Sequence, residues 1–315
     1  MKSQEIYPIR YVARQTGLTP HVIRAWEKRY KAIVPCRTLT NRRLYSEANI
    51  ERLGLLKNAV MTGNSIGQIA GLTNDEIRKI LGRGEGVEKA SSPTALPASE
   101  ASSSLFLVEA SVSAVLDLDA GALERTLTRA EINLSKLSLI DQVVVPLVQK
   151  LGDLWSDGSL KIVHEHMASS VIRTFLGDIL RFSEVPPTAI PIILTTPVGH
   201  LHELGALIAA VTSASEGWRS MYLGPNLPAE EITNAAERTQ AKVVGLSVVY
   251  PPDDPRVIRE LKALRRYLSE TVVLVVGGQA AEAYSEALDA IGAIQLKDIP
   301  SFRVRLASLR SREPA

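Results

Sequence analysis

Cysteine is almost absent: Cys36 is the single thiol in 315 residues. One thiol closes no intrachain disulfide and builds no multi-cysteine zinc site. Long apolar runs are also missing, none approaching the ~20 residues that span a bilayer. The opening Met1-Lys2-Ser3-Gln4-Glu5 has none of the hydrophobic character of a signal segment. The expectation is a cytoplasmic protein that does not enter a membrane. Histidine is scarce too, with five residues, and four of them come as two pairs: His164 with His166, and His200 with His202.

What is present is unevenly placed. Residues 1–83 hold 15 Lys and Arg against 6 Asp and Glu, so a whole-chain charge of +2 leaves −7 for the remainder. A basic segment joined to an acidic one suggests that the first part meets a polyanion. At this length there is room for two or three domains.

Ile9, Val12 and Ala13 have helical spacing, and Gly17 stands where a tight turn follows. Thr19-Pro20 then supplies an N-cap with proline at the first helical position. In the next helix, through Tyr30, Val22, Ile23 and Trp26 can face inward while His21, Arg24, Lys28 and Arg29 project outward. Helix, glycine turn and basic second helix make a helix-turn-helix pattern. The stretch from Pro35 to Tyr45 suits a two-stranded wing, with Arg37, Arg42 and Arg43 available for phosphates. The Arg24-Ala25-Trp26-Glu27-Lys28-Arg29-Tyr30 core with Arg42-Arg43-Leu44-Tyr45 resembles the MerR family of winged-helix regulators over about the first 80 residues. By that resemblance Thr19, His21, Arg24, Arg29 and Tyr30 lie at the major groove or its phosphates, and Arg37, Arg43 and Tyr45 belong to the wing. Double-stranded operator DNA is the implied partner.

Residues 84–103, rich in Gly, Ser and Pro and poor in bulky apolar side chains, predict a flexible linker that tethers the head without packing it. Residues 104–185 read as a four-helix bundle, broken near Asp117 to Ala120 and Asp157 to Ser159, with Pro146 predicting a kink. The second break places Trp155 on one side of a bend and Glu165-His166 on the other. Residues 186–315 alternate short apolar runs (Ile190 to Leu194, Met221 to Leu223, Val243 to Val249, Val272 to Val276) with amphipathic stretches. That alternation predicts a doubly wound parallel sheet, completing a multidomain α and α/β protein.

In that last segment His202-x-x-Gly205, Ser247-x-Val249 and Gly277-Gly278 follow one another at the ends of predicted strands. This order resembles the Rossmann-like cobalamin-binding domain, and Trp155, nine residues, then Glu165-His166 resembles the helical cap that accompanies it in the CarH and LitR group of MerR-type photoreceptor regulators. The resemblance implies that His202 is the lower axial ligand of cobalt. The nucleotide tail of the corrinoid would pass Gly205, Ser247, Val249, Gly277 and Gly278, and Trp155, Glu165 and His166 would contact the adenosyl group of adenosylcobalamin. It further implies a repressor with no enzymatic activity, whose assembly from dimer to tetramer and whose operator binding follow the cofactor and light. Two positions depart from the pattern. His200 replaces the acid that orients the axial histidine, and Ser156 replaces the histidine that follows the Trp in light-responsive members. Alternatives are a light-independent regulator that binds another corrinoid or none, and a corrinoid carrier module of a methyltransferase.

Overall fold

The structure is a computed structural model that describes residues 6–38, 42–61, 64, 66–83 and 98–311. It divides into two compact units, residues 1–184 and 185–315. No described helix is long and apolar enough to cross a membrane.

The first unit begins with β1 (Ile6–Pro8), α1 (Ile9–Thr16) and α2 (Pro20–Tyr30). Gly17 ends α1 at φ 61°, the left-handed conformation that glycine adopts without strain. The Thr19 hydroxyl accepts the Val22 N–H at 3.3 Å, capping α2 as its sequence predicts. Strands β2 (Cys36–Arg37) and β3 (Arg43–Ser46) form the wing, and β1 pairs with the other edge of β3 to make a three-stranded antiparallel sheet. Helices α3 (Glu47–Met61), α4 (Ile66–Ile69) and α5 (Asn74–Arg83) close the head. Val12, Ile23, Trp26, Leu53, Leu56 and Ile77 make its core, each buried side chain of this size contributing about 1.5–3 kcal/mol.

The bundle follows: α6 (Ala98–Leu116), α7 (Ala120–Asn133), α8 (Lys136–Leu139), α9 (Val145–Ser156) and α10 (Ile162–Arg181). Between α8 and α9 the backbone makes a π-helical turn over Ile140–Val144. Pro146 stands just beyond it, where its missing N–H and its ring disturb regular α-helical bonding, so the anticipated kink takes the form of a widened turn. Two expectations for the connecting segment change. Helix α6 starts at Ala98, inside the anticipated linker, while residues 84–97 lie outside the described residues. And the head does not stand apart: Ile132 of α7 and Phe182, which follows α10, are buried in the head's own core.

The second unit runs β4 (Pro191–Thr195), α11 (Leu204–Ser215), β5 (Arg219–Tyr222), α12 (Ala229–Thr239), β6 (Val243–Ser247), α13 (Pro255–Tyr267), β7 (Val273–Gly277), a 3₁₀ turn (Ala281–Tyr284), α14 (Ser285–Ala290), β8 (Ile294–Gln295) and α15 (Ile299–Arg310). The five strands pair in parallel in the order β5-β4-β6-β7-β8. Strands such as Val243-Val244-Gly245-Leu246-Ser247 are buried throughout, and apolar up to the final serine, because helices cover both sheet faces. From β4 the chain goes to β5 on one side, and the sheet continues to β6 on the other. The order therefore reverses between β4 and β6, and a crevice opens above their carboxyl ends.

Candidate functional site

The crevice is where the sequence-predicted residues of the second unit converge. The loop from Thr196 to Glu203 leaves the end of β4 and is braced from below. The Thr196 hydroxyl donates to the His200 carbonyl and accepts the Asn226 N–H at 2.8 Å, while the Asn226 side chain accepts the Gly199 N–H at 2.8 Å. Gly199 takes φ 89° to make that turn.

His200 is fully buried. Its Nδ1 accepts the Val249 N–H at 3.3 Å, and its ring meets Tyr284 edge-on at 6.3 Å. Burial, reinforced by His202, pushes its pKa down, with Asp254 opposing. A neutral ring that accepts at Nδ1 carries its proton on Nε2, and that atom is buried without a partner. His200 thus pins the strand-end segment at Val249.

His202 is exposed, with its ring edge-on to Tyr250 at 6.3 Å. Leu201 is 70% and Tyr250 63% exposed, so an imidazole stands on an apolar rim. Glu203, the residue after His202, takes a hydrogen bond from the Tyr222 hydroxyl. Below the rim, helix and strands come unusually close. A Cβ on Gly205 would lie 2.6 Å from the Ser247 Oγ, an oxygen that is itself buried without a partner. A Cβ on Gly278, at φ 108°, would lie 2.2 Å from the Val248 carbonyl oxygen. The Val248 N–H donates to Gly277 O at 2.8 Å, tying the segment that contains Val249 to the Gly277-Gly278 corner. His202, Gly205, Ser247, Val249, Gly277 and Gly278 therefore share one strand-end crevice.

The remaining cofactor candidates belong to the first unit. Trp155, in the last turn of α9, is 44% exposed, and Ile162 and Val163 at the start of α10 are also exposed. Glu165 accepts from the Ser169 hydroxyl at 2.7 Å and lies 2.7 Å from Nδ1 of His166. His164 is engaged locally, its Nδ1 accepting the Lys161 N–H at 3.2 Å as part of the α10 cap. The Ser156 hydroxyl donates to the Gly152 carbonyl at 2.9 Å.

In the head, α2 carries Arg24, Lys28 and Arg29 exposed, with the Arg29 guanidinium over the Tyr30 ring at 5.6 Å. The backbone of His21 lies in the first turn of the same helix, and Arg37 is exposed on β2. Arg43 is held by Glu27, with Nε to Oε2 at 2.8 Å. Tyr45 is a correction: it is fully buried, so its ring is a core element and presents nothing to DNA. Burial pushes its phenol up to about 12. Tyr45 stands in the core that Val12, Ile23, Trp26 and Leu53 of the head's helices build against the sheet, a packing that no short-range pattern in the sequence announces. Thr19 is only 4% exposed. Leu201 and Tyr250, the rim around His202, had no signal in the sequence beyond their proximity to it.

The crevice residues suit a cobalt corrinoid. Among the described residues, no three His, Cys, Asp or Glu side chains gather to hold a metal ion. A lone exposed imidazole fits a metal whose equatorial positions are filled by its own macrocycle, because one axial bond is then all the protein need supply. The apolar rim fits a broad ring, and the orphaned Ser247 hydroxyl between two glycine-dependent contacts fits a polar chain entering the sheet.

Comparison with known proteins agrees with these geometries. Residues 7–82 match the MerR HTH family regulatory proteins, residues 190–296 a B12 binding domain, and residues 107–177 a second type of B12 binding domain. The chain is 28% identical over 286 residues to the HTH-type transcriptional repressor CarH of Myxococcus xanthus, covering 90% of this chain and 92% of that one. It is also 28% identical to the repressor CarA of the same organism over 289 residues, covering 90% and 91%. In fold it is similar to the monomethylamine corrinoid protein of Methanosarcina barkeri, with a TM-score of 0.51 at 14% identity, over 64% of this chain and 96% of that one. The basic helix-turn-helix head, the helical bundle and the histidine-bearing parallel sheet are thus those of a cobalamin-binding, DNA-binding regulator with a MerR-type head, similar to CarH and CarA.

Proposed function

We propose that this regulator is a transcriptional repressor whose cofactor is adenosylcobalamin, and that His202 is the lower axial ligand of its cobalt. The observation that carries the reading is the presentation of His202, an exposed imidazole on an apolar rim above the Gly205–Ser247 contact. Ser247, Val249, Gly277 and Gly278 would hold the nucleotide tail. Trp155 would cover the upper ligand, with the Glu165 carboxylate accepting from ribose hydroxyls and His166 beside it. When bound, the cofactor supplies a cobalt–carbon bond that light can break.

In this reading residues 1–83 bind operator DNA, residues 84–103 connect, residues 104–185 cap the corrinoid and residues 186–315 hold it. Cofactor binding drives a cytoplasmic homodimer towards a tetramer, raising the effective concentration of the heads at an operator. The chain acts as a regulator and not as an enzyme. A second reading, cofactor control without light, is favoured by one observation: the side chains of Ser156 and His164 are both bonded within their own helix ends. Visible spectra and size-exclusion elution of the protein loaded with adenosylcobalamin, in darkness and after illumination, test both. A corrin spectrum lost in His202→Ala and a larger dark species support the main proposal. Equal elution with and without cofactor overturns it, and a cofactor-dependent species that ignores light selects the second reading.

A further inference from the structure

The helix that carries most of the expected DNA contacts is held at both ends by the bundle. At its start, the Thr19 hydroxyl donates to Glu131 Oε2 at 3.2 Å. At its finish, the Tyr30 hydroxyl is 3.5 Å from Asn133 Oδ1. Between those two residues of α7 stands Ile132, 4% exposed and buried in the head's core. The turn before α2 is closed as well: a Cβ on Gly17 would lie 3.1 Å from the Phe182 carbonyl, and Lys57 reaches Glu184 at 3.7 Å.

A DNA duplex seated on α2 needs the space and the polar atoms that α7 now takes. In the usual docking of this motif the N-terminal residues of the recognition helix meet the base edges, and here the capping residue at that end, Thr19, is 4% exposed and bonded to Glu131. We propose that α7 is an autoinhibitory surface, on which Glu131, Ile132 and Asn133 compete with duplex DNA for α2, so that operator binding requires the head to leave the bundle. This rests on the reading of α2 as the DNA-contacting helix.

The closed contact is built so that it can open. A cleft of about 690 Å³ beside it is lined by Lys28 and Arg29 of the head and by Glu124, Arg125 and Arg129 of the bundle, four cations against one carboxylate. Glu131 is pushed up to about 7 by burial and by Asp178, with Thr19 and Lys136 opposing. Lys136 is pulled down to about 8 by burial and by Lys57, against Glu131 and Glu184. Because Glu131 binds its proton more tightly in the closed form, its contribution to closure is full below the ordinary value of 4.5 and is lost as pH rises through about 7.

The test uses the full-length protein and a fluorescein-labelled mixed-sequence DNA duplex. Glu131→Ala and the charge-neutral Ile132→Ala are expected to bind it roughly tenfold more tightly than the unaltered chain. Ile132→Ala separates loss of the contact from loss of a repelling charge. Hydrogen exchange in the unaltered chain guards against a variant that misfolds, since DNA is expected to strip protection from the Glu131–Asn133 segment. Unchanged affinity in both variants, or unchanged protection on DNA binding, overturns the autoinhibitory surface while leaving α2 as the DNA helix. If no form binds the duplex, the DNA reading of α2 falls and the proposal falls with it.

Discussion

Two segments of this chain, a loop after β4 and the first turns of α10, each carry a His-x-His pair, and in both the first histidine serves the local backbone while the second is presented. After β4, His200 is buried and accepts the Val249 N–H, and His202 stands exposed beside Tyr250. At the start of α10, His164 accepts the Lys161 N–H, and His166 stands exposed beside Glu165. The difference lies in what each first histidine supports. His200 is locked into a sheet interior and ties two strand ends together, whereas His164 closes one helix terminus at the surface. A rigid seat suits a bond to a metal, and a helix end with local freedom suits contact with a variable upper ligand.

Four substitutions separate the members of these pairs. His202→Ala is expected to have the largest effect, weakening corrinoid binding by more than the roughly 10–100-fold typical of losing an outer-shell partner, measured by equilibrium dialysis with visible spectroscopy. His200→Ala orphans the Val249 N–H and leaves a void, costing about 1–3 kcal/mol of unfolding free energy in urea titration and weakening corrinoid binding by less than His202→Ala. Equal binding losses for the two would erase the distinction between builder and ligand. His166→Ala is expected to lower the preference for adenosylcobalamin over methylcobalamin by a few-fold, about 1 kcal/mol as for one hydrogen bond, with thermal stability unchanged. His164→Ala removes a cap contact and should cost about 0.5–1 kcal/mol, seen as a small drop in melting temperature with the spectrum of the loaded protein intact. A spectral change there would give His164 a place at the cofactor.

Much of this was legible because it is local. The Thr19-Pro20 cap, the Gly17 turn and the four main strands each write their signal within a few residues. The crevice was legible for a related reason: Gly205, Ser247 and Gly278 are small because neighbouring backbone or side chains fill the space a larger residue would need. What was not legible depends on distant partners. Nothing near Thr19 announces Glu131, which is 112 residues away. Tyr45 shares a strand face with Arg43, two residues away, as a wing residue should, yet the head's helices pack against its position and make it core. Strand β8 is two residues long and gave no periodicity to read. Helix α6 begins in a serine-rich segment whose Ala98, Glu100 and Ala101 favour helix while its composition reads as linker.

The cationic cleft beside α2 has a consequence for ionic strength. Salt screens the mutual repulsion of Lys28, Arg29, Arg125 and Arg129, so it favours the closed head. Salt also weakens the pairing of the same head with phosphates by cancelling the gain from counterion release. The two effects act in the same direction. The logarithm of DNA affinity should therefore fall with the logarithm of salt more steeply than the phosphates touched would require, and the excess slope belongs to a gap inside the protein.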